Sequence, residues 1–93
     1  PTAHLDFSNQ IKVLRIIKKL SHQGYAVAIT THDPNHALLL GGRTALFGEA
    51  GALQCGPMEE IMTEEKLKRV YGGDICLRNV EEFGRKVCIY PSL

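Results

Sequence analysis

The sequence predicts an α/β domain with an antiparallel edge. Three observations carry that prediction. The first half orders itself as helix, strand, helix, strand. The run Tyr25-Ala26-Val27-Ala28-Ile29-Thr30 is nearly continuous in apolarity, as a strand covered on both faces would be. The second half turns to short runs separated by turn residues, which suits hairpins and small helices. With 93 residues there is room for one small domain.

Asp6 and Ser8 both suit the N-cap of a helix that runs to about Gly24. Val13, Ile16, Ile17 and Leu20 fall at helical spacing and predict its apolar face, widened by Ile11 and Leu14. Lys18 and Lys19 sit near the end where the helix dipole favours cations. The apolar run 25–30 follows as the expected central parallel strand. Thr31-His32-Asp33-Pro34 breaks it, with Asp33 as cap and Pro34 in the first turn of a second helix that buries Ala37, Leu38, Leu39 and Leu40.

Gly41-Gly42 ends that helix, and the stretch 43–47 reads as another strand. Glu49-Ala50-Gly51 turns into the strand 52–55, completing a hairpin. Gly56-Pro57 opens a short helix with Glu59 and Glu60 in its first turn. Thr63 caps the next helix, with Leu67, Val70 and Tyr71 on one face and Gly72-Gly73 as its stop. The tail carries two strand-like runs, 75–80 and 86–90, around Glu82-Phe83-Gly84. There is no internal repeat or low-complexity stretch.

Composition removes several functional classes. Lys and Arg number 11 against 10 Asp and Glu, and the resulting net charge of +1 provides no field toward nucleic acid or an anionic membrane. No apolar run is long enough to span a bilayer, and no charged-then-apolar leader opens the chain. Cys55, Cys76 and Cys88 are odd in number and lack C-x-x-C spacing, which argues against a disulfide framework or structural zinc and for a reducing compartment. Each lies in a strand-like run and reads as a small buried apolar residue. The opening Pro1, in place of Met, predicts a piece of a longer sequence.

The end of the apolar run is the place to expect chemistry, because open α/β sheets bind ligands beyond the carboxyl ends of their strands. His32 there can donate a hydrogen bond to a phosphate oxygen, or it can simply pack at a strand–helix corner. Asp6 reads by local chemistry as a helix cap, His4 as an exposed loop residue and His22 as a solvated residue near a helix end. His32 and His36 stand four apart, but Pro34 starts the helix after His32, so the two rings need not share a face. With no third ligand evident, no metal site is expected. The charges from Glu64 to Arg69 have acidic-before-basic helical spacing and predict a solvated face. Neither G-x-x-x-x-G-K-[ST] nor G-x-G-x-x-G occurs, and no Ser–His–Asp set or paired carboxylate stands at recognisable spacing. The isolated chain is expected not to be an enzyme.

Taken together, these segments resemble the ATPase subunits of ABC transporters. Pro1-Thr2-Ala3-His4-Leu5-Asp6 is similar to the stretch that follows the Walker B strand and enters the D-loop, E-P-T-S-x-L-D. Ala3-His4 stands where the family often has Ser and then a small residue, while Leu5-Asp6 keeps the pattern. About twenty-five residues later, Ile29-Thr30-Thr31-His32-Asp33 resembles the H-loop, or switch, at the family's spacing. The hairpin 43–56 resembles the strands after the switch. Met62-Thr63-Glu64-Glu65, with Leu67 and Tyr71-Gly72, resembles the C-terminal region of ATPases serving iron–siderophore, haem and cobalamin importers. The match runs to about Gly73 and weakens beyond it.

The resemblance implies that residues 1–93 are a single partial domain, the C-terminal part of a P-loop NTPase-like ABC ATPase, with parallel strands, helices and antiparallel hairpins, and a C-terminal hairpin at 74–93. It implies that His32 is the switch histidine contacting the γ-phosphate of ATP, and that Asp6 is the D-loop aspartate reaching across a dimer interface. The catalytic Glu would immediately precede Pro1, and the Walker A, Q-loop, signature and Walker B segments would lie outside the chain. The parent would bind ATP and Mg2+, pair with a second ATPase subunit as a homodimer, and work with transmembrane permease subunits at the cytoplasmic face of the membrane. It would couple hydrolysis to uptake of an iron chelate, haem or cobalamin, with no nucleic acid involved. The fragment alone would be inactive, bind no cofactor, and self-associate through its uncovered strands. Two other readings stand beside this one: a small non-catalytic α/β protein-interaction module, and an ABC-type ATPase acting outside transport.

Overall fold

Side-chain caps set where the helices begin. The computed structural model describes residues 6–48 and 51–92. Helix α1 spans Phe7–His22, and its N-cap Asp6 accepts the Asn9 backbone N–H at 2.9 Å. Helix α2, Pro34–Leu40, is capped by Asp33, which accepts the Asn35 N–H at 2.9 Å. Thr63 accepts the Lys66 N–H at 3.3 Å and starts the helix over Glu64–Tyr71. In each case a short polar side chain satisfies an amide that the helix itself leaves open.

The strands form two separate antiparallel pairs. Strand β1, Arg43–Phe47, pairs with β2, Leu53–Pro57, in the register Ala45 opposite Cys55. A one-turn helix α3, Met58–Ile61, follows directly, and the Met58 N–H donates to the Gly42 carbonyl at 2.8 Å. A Cβ at Gly56 would stand 3.3 Å from Ile61 Cδ1, so glycine lets α3 fold closely onto β2. Helix α4, Glu64–Tyr71, leads to β3, Cys76–Val80, which pairs with β4, Arg85–Ile89, with Leu77 opposite Cys88. A 3-10 turn, Glu81–Phe83, joins them, and Gly84 closes it in the left-handed conformation (φ 64°) that a β-carbon disfavours.

The core gathers Leu38 of α2, Met62, Leu67 of α4, Ile75 and Cys88 of β4, with Ala37, Met58, Tyr71 and Leu77 against its edge. Leu67 is fully buried at its centre. The core therefore lies between α2, α4 and the C-terminal hairpin.

Several expectations are corrected. The apolar run 25–30 is not a central parallel strand: it joins neither sheet, and Tyr25 and Val27 are 63% and 40% exposed. A parallel strand needs neighbours delivered across long connections, and among the described residues β1 and β2 satisfy each other, as do β3 and β4. No parallel pairing occurs among the described residues. In α1 the buried residue is Leu14; Ile11, Val13, Ile17 and Leu20 are half-buried, and Ile16, expected on the apolar face, is 59% exposed. Cys88 is buried, Cys76 half-buried and Cys55 exposed on β2, so the expectation of three buried cysteines holds for one. The turn expected at 49–51 falls partly on residues 49 and 50, outside the described residues, as does the stretch 1–5 that begins the motif of Asp6.

Candidate functional site

Where the run 25–30 meets α2, the chain bends and tethers itself on both sides of His32. Thr31 Oγ1 accepts the Asp33 backbone N–H at 3.1 Å and lies 2.7 Å from Nδ1 of His36. Having used a lone pair on Asp33, the hydroxyl has its hydrogen to give to His36 Nδ1. A neutral His36 then carries its ring proton on Nε2, the nitrogen 3.6 Å from Asp33 Oδ2. His36 is buried, and both neighbours of His32 are thereby fixed to it.

His32 itself is exposed and lines an open cleft of about 630 Å³. The cleft wall runs from Gln10 of α1 through Thr30 to Asp33 and His36, then along Ala45, Leu46 and Phe47 of β1 to Val70 and Tyr71 of α4. Among the described residues no hydrogen bond or ion pair engages the His32 ring. The ring is thus available to a ligand oxygen in a cleft whose remaining walls are partly apolar.

Tyr71 stands on the far wall, and its backbone carbonyl accepts from the Tyr90 hydroxyl at 3.2 Å. Burial raises the Tyr71 phenol above its ordinary range, helped by the nearby Cys88, Asp33 and Tyr90. Burial likewise raises the Cys88 thiol, with Asp33 adding to it. Both groups stay protonated at neutral pH and supply neither a nucleophile nor a base.

The second anchor of this region is an amide. Asn35, the second residue of α2, receives the Cys88 N–H on Oδ1 at 2.8 Å and donates from Nδ2 to the Cys88 carbonyl at 3.0 Å. Asn35 thus completes both backbone groups of one β4 residue, 53 positions along the chain.

Sequence reasoning placed His32 at this corner and Asp6 at the start of α1. The two do not share the cleft: Asp6 is occupied as a cap, and Gln10, one turn further on, is the α1 residue in the wall. His36 was weighed only as a metal ligand, whereas the structure buries it as the post behind His32. A signal was present, since Asp33 and His36 stand at N-cap and third helical position, the spacing of a reciprocal cap. The Asn35–Cys88 pair had no local signal. Among the described residues, no three His, Cys, Asp or Glu side chains group as a metal site. No helix of the described residues is long and apolar enough to cross a membrane.

No family model matches the chain. It is 41% identical over 71 residues, 76% of its own length and 27% of the relative's, to an uncharacterized ABC transporter ATP-binding protein of Haemophilus influenzae. It is 35% identical over 72 residues, 77% of its length and 25% of the relative's, to the hemin import ATP-binding protein HmuV of Rhodococcus jostii. Against the ferric enterobactin transport ATP-binding protein FepC of Escherichia coli it is 34% identical over 73 residues, again 77% of its length and 27% of the relative's. Vitamin B12 import ATP-binding proteins match at 26% to 31% identity. The chain spans about a quarter to a third of the length of these relatives.

Proposed function

From its homology to the ATP-binding subunits of ABC transporters, we propose that this chain is a C-terminal segment of an importer's ATP-binding subunit, and that His32 is its switch histidine. The observation that carries the proposal is the placement of His32, whose exposed ring lines the cleft while both neighbouring residues are tethered to the buried His36. That is the arrangement a γ-phosphate contact requires: a donor free toward the ligand on a backbone that does not yield. In phosphoryl transfer the protein contributes mostly position and charge stabilisation. A histidine donor to a charged phosphate oxygen is worth roughly 1.5–3 kcal/mol.

In this reading the residues have separate tasks. His32 binds and orients the terminal phosphate through a ring N–H. Thr31, Asp33 and His36 keep its backbone in place. Asp6 reaches toward the facing nucleotide site of a dimer while its carboxylate caps α1. ATP fits a cleft that offers a His donor, and the parent subunit would bind Mg2+ with it, held by one or two protein oxygens, water and the nucleotide's phosphates. The nucleotide and metal, when bound, supply the transferable phosphoryl group and the charge that neutralises it.

The parent subunit would pair with a second copy and dock on transmembrane permease subunits at the cytoplasmic face. It would couple hydrolysis to uptake of an iron chelate, haem or cobalamin, the cargo classes in the names of its relatives. The 93-residue chain, a single partial domain ending in the hairpin, would be inactive by itself, and its exposed 25–30 run would promote self-association. The test is His32→Ala in the full-length subunit. ATP turnover should fall at least a hundredfold with ATP affinity within threefold, about 2.7 kcal/mol taken from the transition state alone. Undiminished turnover overturns the reading.

A further inference from the structure

We propose that Asn35 is a positioning residue for His32, and that it acts by clamping the switch corner to the C-terminal hairpin. The inference rests on the reading of His32 given above and extends it to a part of the chain with no role in that reading. Three observations lead to it. Asn35 makes both of its amide hydrogen bonds to one residue, Cys88, taking its N–H at 2.8 Å and giving to its carbonyl at 3.0 Å. A carboxamide that closes two bonds on one peptide residue fixes orientation as well as distance. The Asn35 backbone N–H is in turn held by Asp33, the residue after His32. Finally, the β4 residue it grips lies in the core beside Leu38 and Leu67.

The mechanical chain is short. His32 is joined directly to Asp33; Asp33 caps the amide of Asn35; Asn35 grips Cys88; and Cys88 is fixed by the core. Thr31 and His36 restrain the corner locally, within five residues. The Asn35 clamp alone among these ties links the corner to a distant element by side-chain hydrogen bonds. Loss of it would leave α2 packed through Leu38 but free to shift at its first turn, and the His32 ring would sample positions away from the phosphate. Turnover depends steeply on such placement, whereas ground-state affinity, spread over many contacts, does not.

The test is a double-mutant cycle in the full-length subunit, with Asn35→Ala, His32→Ala and both together, read as kcat and KM for ATP. Asn35→Ala should lower kcat roughly tenfold with KM within twofold, the scale of two lost hydrogen bonds. The double variant should be no slower than His32→Ala alone, because Asn35 acts through His32. A milder variant, Asn35→Asp, keeps the acceptor for the Cys88 N–H but sets a carboxylate against the Cys88 carbonyl; it should also lower kcat, and should recover as falling pH protonates the carboxyl and restores a donor. Full activity of Asn35→Ala beside an inactive His32→Ala overturns the clamp and leaves the switch reading intact. Additive losses in the double variant overturn it too. Full activity of His32→Ala overturns the switch reading itself. Melting temperatures of each variant separate a folding defect, which Asn35→Asp with unchanged melting and reduced, pH-sensitive kcat would exclude.

Discussion

Two strand-like stretches of the sequence behave in opposite ways, and the more apolar of the two is the one left without a partner. The run 25–30 has no regular structure and no partner strand among the described residues, with Tyr25 and Val27 exposed. The tail 76–89 closes into a hairpin, seats Cys88 in the core and ties itself to α2 and α4. Greater apolarity does not by itself secure coverage. A hairpin brings its own partner within a few residues, so its backbone groups are satisfied at small entropic cost. A fully apolar run suited to the middle of a parallel sheet must wait for neighbours from elsewhere. Stability in this molecule is therefore concentrated in the C-terminal half, around Leu67.

The sharpest way to break that comparison is to truncate one residue of the core that receives the tail and one residue of the run 25–30. Leu67→Ala should destabilise the fold by about 3 kcal/mol, as fully buried leucines do, whereas Val27→Ala should change it by less than about 0.5 kcal/mol, as exposed sites do. Urea titrations followed by circular dichroism measure both. Comparable losses at the two positions would mean that 25–30 is covered in solution. Thr63→Ala removes the cap of α4 and should cost about 1 kcal/mol in the same assay, with Thr63→Ser restoring most of it.

A smaller effect concerns acid. Glu64 Oε1 accepts the Leu77 N–H at 2.8 Å and the Arg78 guanidinium at 2.6 Å, joining the start of α4 to β3. The Leu77 hydrogen bond first, and then Arg78, hold the Glu64 carboxyl below its ordinary value of 4.5. A carboxyl whose folded value is depressed contributes stability above its ordinary value and loses it as pH falls through the folded one. The melting temperature should therefore drop below about pH 4.5 partly through this residue. Glu64→Gln, which keeps an acceptor for Leu77, should lower melting slightly at pH 7 and converge on the parent protein as pH falls through the depressed value of Glu64. A constant gap across that range would assign the acid sensitivity to other carboxylates.

Much of the fold was legible because it closes over short distances. Asp6, Asp33 and Thr63 are read as caps from the residue type and its place before a helical pattern, and each takes its hydrogen bond within three residues. The helices over 7–22, 34–40 and 64–71 and both hairpins follow from the same local signals. His32 was legible as the residue at the turn into α2. Its support was not, because the burial of His36 depends on what closes over it.

What the chain's own letters decide, then, is the features whose partners lie within about one turn or one hairpin: caps, helices and hairpins. Three-dimensional packing alone decides which apolar surfaces are covered and which groups meet across long separations. It left 25–30 unpaired and mostly exposed, chose Leu14 over Ile16, and set Asn35 against Cys88. Local hydrogen bonds are specified by the residues that make them. Burial and long-range pairing are set by whatever else comes alongside, and no pattern within a short window encodes that.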